Sequence, residues 1–230
     1  MNSYKYETHL HTIESSACAS SCAVDYIEAY RALGYAGFFV TNHFFGGNTC
    51  VSADLPWKER IELFCKGYDL AHEACTNIPD FDVFFGLEQA FDGDEYLIFG
   101  LEKEWLMQHE EFEFMKQDEV FKTVNKLGGL IIQAHPYRLR DYIKAIHLHP
   151  RDIHGIEVYN ACNHTEENDL AFMYAKTYGF PMTSGSDIHN VNMIKDCPQI
   201  MGGVEFDSPV KDVFDFAERI KSKKYNIIKN

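Results

Sequence analysis

The sequence predicts a single α/β domain, with strands and helices alternating around a TIM-like β/α barrel of about seven strands that is closed or nearly closed. Three observations lead there. Short apolar runs alternate with amphipathic stretches of helical period along the chain. Most of the runs are too apolar to carry a solvated face, as parallel strands covered by helices on both sides must be. Several of them end in metal-ligand chemistry, at His9/His11, His43, Glu88, His135 and Asp187/His189. In a β/α barrel the C-terminal strand ends converge on one face, where barrel enzymes keep their sites, so residues far apart in sequence would meet.

The bulk numbers suit this reading. The chain has 230 residues, 46% hydrophobic and 24% charged, a length that α/β barrels commonly reach as one unit. One domain is expected over residues 1–230, with its core at about 4–206 and a C-terminal helix and tail at 207–230. No apolar run approaches the roughly 18 residues of a membrane span, and Met1–Glu7 lacks the layout of a signal peptide. The expectation is a cytoplasmic protein with no membrane partner. A formal charge of −14 argues against binding to nucleic acid, which needs a basic surface. It does not exclude phosphate substrates, because bound divalent cations reverse the potential of a site. The seven cysteines form no C-x-x-C pair and read as reduced thiols, Cys18 and Cys22 included.

Taken in order, Tyr4–Thr12 reads as a strand, followed by a Ser- and Cys-rich loop, Glu14–Ala23. Tyr26, Ile27, Tyr30 and Leu33 have helical spacing, stopped at Gly34. Gly37–Thr41 is a buried strand ending at His43. Beyond Pro56, the residues Trp57, Ile61, Phe64, Tyr68 and Ala71 make one apolar helical stripe. Phe81–Leu87 is a third strand delivering Glu88, and Tyr96–Gly100 a fourth, reached through an acidic turn. A charged helix follows with Phe112, Met115, Val120, Val124 and Leu127 on its buried side. Leu130–Ala134 leads to His135, and Gly155–Asn160 is a further strand. Glu166–Tyr178 is a helix closed by Gly179, and Pro181–Gly185 feeds Asp187 and His189. Gly203–Phe206 is a last strand before a final helix marked by Val213, Phe214, Ala217 and Ile220, and a Lys-rich tail.

The N-terminal pair carries the first chemical inference. Residues two apart on a strand point to one face, so His9 and His11 aim two imidazoles at one point, and Zn, Mn or Fe accept imidazole readily. His147 and His149 form a second His-x-His pair, but with no strand pattern before it. His72 and His109 read as solvated. Of His154 and His164, flanking the Gly155–Asn160 strand, His164 is the better pocket candidate.

The ordered set His9-x-His11-Thr12, Thr41-Asn42-His43, Gly86-Leu87-Glu88, Ala134-His135-Pro136 and Gly185-Ser186-Asp187-x-His189 resembles the PHP superfamily (polymerase and histidinol phosphatase) over roughly Tyr4 to Val204. The resemblance implies a distorted (β/α)7 barrel, a cluster of two or three divalent ions (Zn, Mn or Fe) and hydrolysis of phosphate esters, as in a histidinol-phosphatase-like enzyme. His9, His11, Glu88 and Asp187 would hold the first ion. Glu88 would bridge to a second, also bound by His135, and His43 and His189 would hold a third. The chain departs from the family pattern at three places. No histidine follows in Ser15–Ser20, and none opens the strand at Asp94-Glu95-Tyr96. Asn42 stands where an Asp is common, and is expected to orient His43. Glu95 or Asp94 would then complete the second site, and Glu14 or water the third.

The expected function is hydrolysis of a small phosphomonoester by in-line attack of water activated between two metals. Asp187 or His189 would manage protons and Arg138 would clamp the phosphate. Glu157 and Asn160 would line the pocket. The alternatives are a phosphoesterase of the same fold acting on phosphotyrosine proteins, nucleotides or nucleic-acid ends, and a non-catalytic metal-binding module. Oligomeric state is left open.

Overall fold

The computed structural model describes residues 3–141 and 143–229; positions 1, 2, 142 and 230 of the expected domain lie outside them. The chain is a mixed α/β fold built on two five-stranded sheets. The first sheet contains β1 (Tyr4–Glu7), β2 (Tyr35–Val40), β3 (Asp82–Phe85), β9 (Gly203–Phe206) and β10 (Asn226–Ile228), in the order β10-β9-β1-β2-β3. The second contains β4 (Leu87–Phe91), β5 (Asp94–Phe99), β6 (Leu130–Gln133), β7 (Gly155–Asn160) and β8 (Met182–Gly185), in sequence order. The helices are α1 (Asp25–Ala32), α2 (Trp57–Cys75), α3 (Lys103–Gln108), α4 (Gln117–Lys126), α5 (Thr165–Tyr178), α6 (Asn192–Asp196) and α7 (Val213–Lys221).

No closed barrel is found among the described residues, and the reason is local at each seam. On one side, β1 pairs antiparallel with β9, Lys5 opposite Glu205, so β9 takes the edge that β8 would need. On the other, the expected strand Phe81–Leu87 is divided at Gly86 into β3 and β4. A Cβ at Gly86 would lie 2.9 Å from Phe99 Cδ1, so only glycine lets the chain turn there without pushing that ring. The sheets touch beyond their strands, through single parallel bridges Leu10–Ile188 and His43–Glu88. Nor are the strands all parallel. β1–β2–β3 and β6–β7–β8 are parallel, whereas β4–β5, β5–β6 and β9–β10 are antiparallel.

Two other expectations change. The helix expected over Phe112–Leu127 is interrupted: a 3-10 turn at Glu110–Phe114 precedes α4, and the short α3 lies ahead of both. The break is fixed by the Glu119 carboxylate, which accepts the Lys116 N–H at 2.8 Å and starts a new helix at Gln117. The Lys-rich tail ends in β10, with Asn226 opposite Glu205. Other stops follow the sequence: Gly34 and Gly179 sit beyond α1 and α5 with φ of +76° and +73°.

One buried side chain ties the strand ends together. Glu7 closes β1 with no exposure to solvent. Its Oε1 accepts the N–H groups of Thr8 (2.9 Å), His9 (2.8 Å) and Ser186 (2.9 Å). Its Oε2 accepts the Tyr30 hydroxyl at 2.8 Å and the Ser186 hydroxyl. Glu7 thus joins the exit of β1 to the exit of β8 and to α1. Burial pushes its carboxyl up to about 6 despite those bonds. Nearby, a Cβ on Gly185 would fall 2.5 Å from His9 Cβ, so the two strand ends approach as closely as glycine allows.

Glu7→Ala orphans several buried donors at once. It is expected to destabilise the protein by on the order of 3 kcal/mol, a loss of roughly 10 °C in Tm for a chain of this size. Thermal unfolding followed by circular dichroism measures it. A loss under a degree would show that Glu7 is not a strut.

Candidate metal centre

The extended chain after β1 places His9 and His11 side by side at the meeting of the two sheets, both without solvent exposure. Each ring has one nitrogen tied back by a group that fixes its tautomer. The His9 Nδ1–H donates to Glu157 Oε1 at 2.9 Å. Ser16 Oγ donates its own proton to Asn42 Oδ1 at 2.8 Å, so it accepts from His11 Nδ1 at 3.2 Å. With Nδ1 of each ring engaged in this way, the two Nε2 atoms are the ones turned to a common point, 3.1 Å apart. Two carboxylates complete the convergence. Glu88 Oε1 lies 3.1 Å and Asp187 Oδ1 3.4 Å from His9 Nε2; Glu88 Oε2 lies 3.4 Å and Asp187 Oδ1 3.2 Å from His11 Nε2.

Glu88 extends the cluster towards a second group. His135 Nε2 is 3.2 Å from Glu88 Oε1 and 3.5 Å from Glu95 Oε2. His43 Nδ1 is 2.7 Å from Glu88 Oε2 and 3.7 Å from Glu95 Oε1. Glu95 reaches this place because β5 runs antiparallel to β6, so the start of β5 lies beside the end of β6, and the Ala134 N–H donates to the Glu95 carbonyl at 2.9 Å. A third group is formed by His11, His43 and His189, whose ligand nitrogens lie within 4.8 Å of one another. The His189 Nδ1–H donates to the Asp187 carbonyl at 2.8 Å, which leaves Nε2 as the nitrogen available to a ligand.

The electrostatics are those of a site short of positive charge. Burial pushes the His9 imidazole down, but Asp187, Glu157 and Glu88 outweigh it and pull it well above its ordinary range. Burial likewise opposes His43, which Glu88 and the neighbouring Cys18 raise to about 11. Burial and the neighbouring His43 hold His11 well below the usual imidazole value. Burial would raise Glu88 and Asp187, but His9 outweighs it on both, with His43 on Glu88 and Arg138 on Asp187, and both stay well below the carboxylate range. Glu95 is pushed up by burial and by Glu88.

These residues fit divalent cations, and one observation tests the fit independently of their identity. His43 Nδ1 and Glu88 Oε2 are buried, 2.7 Å apart, and neither makes a hydrogen bond of acceptable geometry. An ion between or beside such a pair of orphaned buried atoms would satisfy both. The backbone agrees: His135 and Asp187 have φ of +28° and +52°, a left-handed conformation that a non-glycine residue holds only when its surroundings impose it.

The remaining candidates divide between this rim and other places. Arg138 Nη2 donates to Asp187 Oδ2 at 2.6 Å and to Asn160 Oδ1 at 2.9 Å, and Nε donates to Asn163 Oδ1 at 2.8 Å. Its Nη1 has no partner among the described residues, and the side chain lines a cavity of about 390 Å³ with His43, Glu88, Asp187 and His189. Glu157 supports rather than faces that cavity, holding His9 and accepting the His135 N–H at 3.0 Å. Asn160 Nδ2 donates to Glu157 and to Asp187, at 2.9 and 3.3 Å.

Three expected extra ligands lie elsewhere. Glu14 accepts the Ala23 N–H at 3.2 Å, Asp94 is taken by His147 at 3.2 Å, and His164 is an exposed residue preceding α5. Among the described residues Asn42 makes no hydrogen bond to the His43 ring; it receives the Thr12 N–H at 2.6 Å and the Ser16 hydroxyl at 2.8 Å. Cys18, read from the sequence as a reduced thiol, lines the same cavity beside His43 and His189. Burial raises its thiol, but the neighbouring His189 and His43 prevail and bring it down to about 6.

No family model matches the chain, and no curated protein matches it. Solved structures do share its fold. A two-domain protein from Bacteroides vulgatus ATCC 8482, named as containing a PHP-like metal-dependent phosphoesterase, superposes with a TM-score of 0.70 at 17% identity, over 98% of this chain and 64% of that one. The chain therefore spans less than two thirds of that protein. PsfC from Pseudomonas syringae PB-5123 gives 0.65 at 16% identity, over 100% of this chain and 93% of that one. A Bifidobacterium adolescentis ATCC 15703 protein, named for a metal-dependent phosphoesterase, gives 0.52 at 15% identity, over 80% and 87%. The likeness is one of fold: the chain is similar in architecture to these three proteins.

Proposed function

We propose that the protein is a metal-dependent phosphoesterase that hydrolyses a small phosphomonoester. The observation that carries the reading is the convergence of His9, His11, Glu88 and Asp187, four side chains whose electron pairs meet with the ring protons of both histidines turned away. These four would hold one divalent ion, and Glu88 with Glu95 and His135 a second. Zn, Mn and Fe(II) all suit such mixed N/O donors. Ions held there would act as Lewis acids towards a phosphoryl group and make water nucleophilic near neutral pH.

The chain's own residues supply the rest. Glu157 and Ser16 keep the two histidines in the tautomer that presents Nε2. Arg138 keeps Asp187 ionised, which suits Asp187 to hold a cation rather than to donate a proton. Arg138 also lines the cavity, where its guanidinium can grip a phosphoryl oxygen as attack proceeds in line. His189 is turned by its bond to the Asp187 carbonyl to present Nε2, as a ligand must be. A cavity of about 390 Å³ walled by charged side chains suits a small phosphate better than a protein or nucleic-acid surface. A net charge of −14 adds to the case against nucleic acid.

Three outcomes follow. Metal-free wild type should gain thermal stability with Mn or Zn, and Asp187→Asn or Glu88→Gln should lose most of that gain; equal gains in all three would place the ions elsewhere. Re-metallated wild type should release phosphate from an aryl phosphate, and Asp187→Asn should reduce turnover by 10² or more, on the order of 3 kcal/mol. Folded, metal-loaded protein that turns over no phosphomonoester would overturn the assignment. Arg138→Lys should lower kcat/KM by roughly 10–100-fold, since lysine cannot reproduce the forked contact; unchanged kinetics would remove Arg138 from phosphate binding.

A further inference from the structure

We infer that His43 serves the second ion, together with Glu88, Glu95 and His135, and that the rim is built for two ions rather than three. This rests on the reading of the rim as a metal centre, and adds how many ions it takes and which side chains share them.

The donors around Glu88 fall into two matched sets. Each of its oxygens faces two imidazoles. Oε1 lies 3.1 Å from His9 Nε2 and 3.2 Å from His135 Nε2. Oε2 lies 3.4 Å from His11 Nε2 and 2.7 Å from His43 Nδ1. A second carboxylate then joins one imidazole of each pair. Asp187 Oδ1 lies 3.4 Å from His9 Nε2 and 3.2 Å from His11 Nε2. Glu95 does the same for the other two, with Oε2 3.5 Å from His135 Nε2 and Oε1 3.7 Å from His43 Nδ1. The ligand atoms of His43, Glu88 and Glu95 lie within 4.8 Å of one another. Two imidazoles and two carboxylates thus serve each ion, with Glu88 common to both.

The backbone fixes His43 in the second set. The Glu88 N–H donates to the Asn42 carbonyl at 3.0 Å, and the Phe44 N–H donates to the Glu88 carbonyl at 2.8 Å. His43 and Glu88 are therefore the two members of one parallel bridge, with their side chains on one face. The His43 N–H is held by Ser16 Oγ at 3.1 Å. Its Nδ1 and Glu88 Oε2 are the buried pair without hydrogen bonds, which an ion of the second set would satisfy.

The same assignment leaves the third group short of donors. A neutral imidazole has one N–H and one lone-pair nitrogen. With Nδ1 on the second ion, His43 keeps its proton on Nε2 and has no electron pair for a third. His11 is committed as well, through Nδ1 to Ser16 and through Nε2 to the first set. Of His11, His43 and His189, only His189 keeps a nitrogen for an ion of its own, and one imidazole is too few protein ligands for a metal site.

The test counts ions. Full-length metal-free protein is brought to saturation with Mn(II) by equilibrium dialysis, its bound metal is measured by atomic emission, and its paramagnetic resonance spectrum is recorded. The expected result is about two ions per wild-type chain, with the multiline spectrum of an exchange-coupled pair, as ions sharing a carboxylate give. His43→Ala and Glu95→Gln should each bind about one ion and lose the coupled spectrum, whereas His189→Ala should keep both ions and the coupling. Circular dichroism checks that each variant is folded. Three ions in wild type, or loss of an ion in His189→Ala, would overturn the inference and restore a third site. Two coupled ions in folded His43→Ala would overturn it by removing His43 from the second. No bound ion in folded wild type would overturn the metal centre itself.

Discussion

The arrangement depends on how the fold buries carboxylates at the meeting of two sheets. Glu7, Glu88, Glu157 and Asp187 are each at most 2% exposed, and water cannot satisfy them. Three are answered by the protein itself. Glu7 takes five donors, Glu157 takes the His9 ring, the Asn160 amide and the His135 N–H, and Asp187 takes Arg138 and Asn160 on one oxygen. Glu88 is left with an unbonded oxygen facing an unbonded imidazole nitrogen. A buried charge with partners on one side and none on the other is what a cation site requires of the protein that builds it.

The open seams of the fold serve the same end. Had β8 paired fully with β1, the backbone would have run past His9 without bringing Asp187 back over it. Instead β9 occupies that edge, the sheets meet at single bridges, and the chain after β8 turns through a left-handed Asp187 into the site. The His43–Glu88 bridge does likewise on the other side, setting the histidine directly against the carboxylate that links the clusters. The strain at His135 and Asp187 sits where the network around Glu7 and Glu157 is dense enough to impose it.

Much of this was legible in the sequence. The strand-end placement of His9, His11, His43, Glu88, His135, Asp187 and His189 followed from apolar runs ending in ligand residues, and the structure brings all seven to one rim. The closed barrel was not there to be read, because the break at Gly86 depends on where the Phe99 ring packs, and the pairing of β9 with β1 is a long-range choice. Glu95 was a candidate beside Asp94, and only the antiparallel register of β5 on β6 separates them. Glu14 and His164 were named for proximity in sequence, which a loop does not translate into proximity in space. Cys18 carried no periodic signal at all, being set in an irregular segment whose course is fixed by hydrogen bonds to Asn48 and His189.

The central claim is that the rim is built around cations rather than around its own ion pairs. A crystal of the protein grown with Mn, measured for anomalous scattering, tests that most directly. The account predicts a strong anomalous peak enclosed by His9, His11, Glu88 and Asp187, with Glu88 shared towards His135 and Glu95. A rim closed by direct His–carboxylate hydrogen bonds, with no anomalous peak there at saturating Mn, would contradict it.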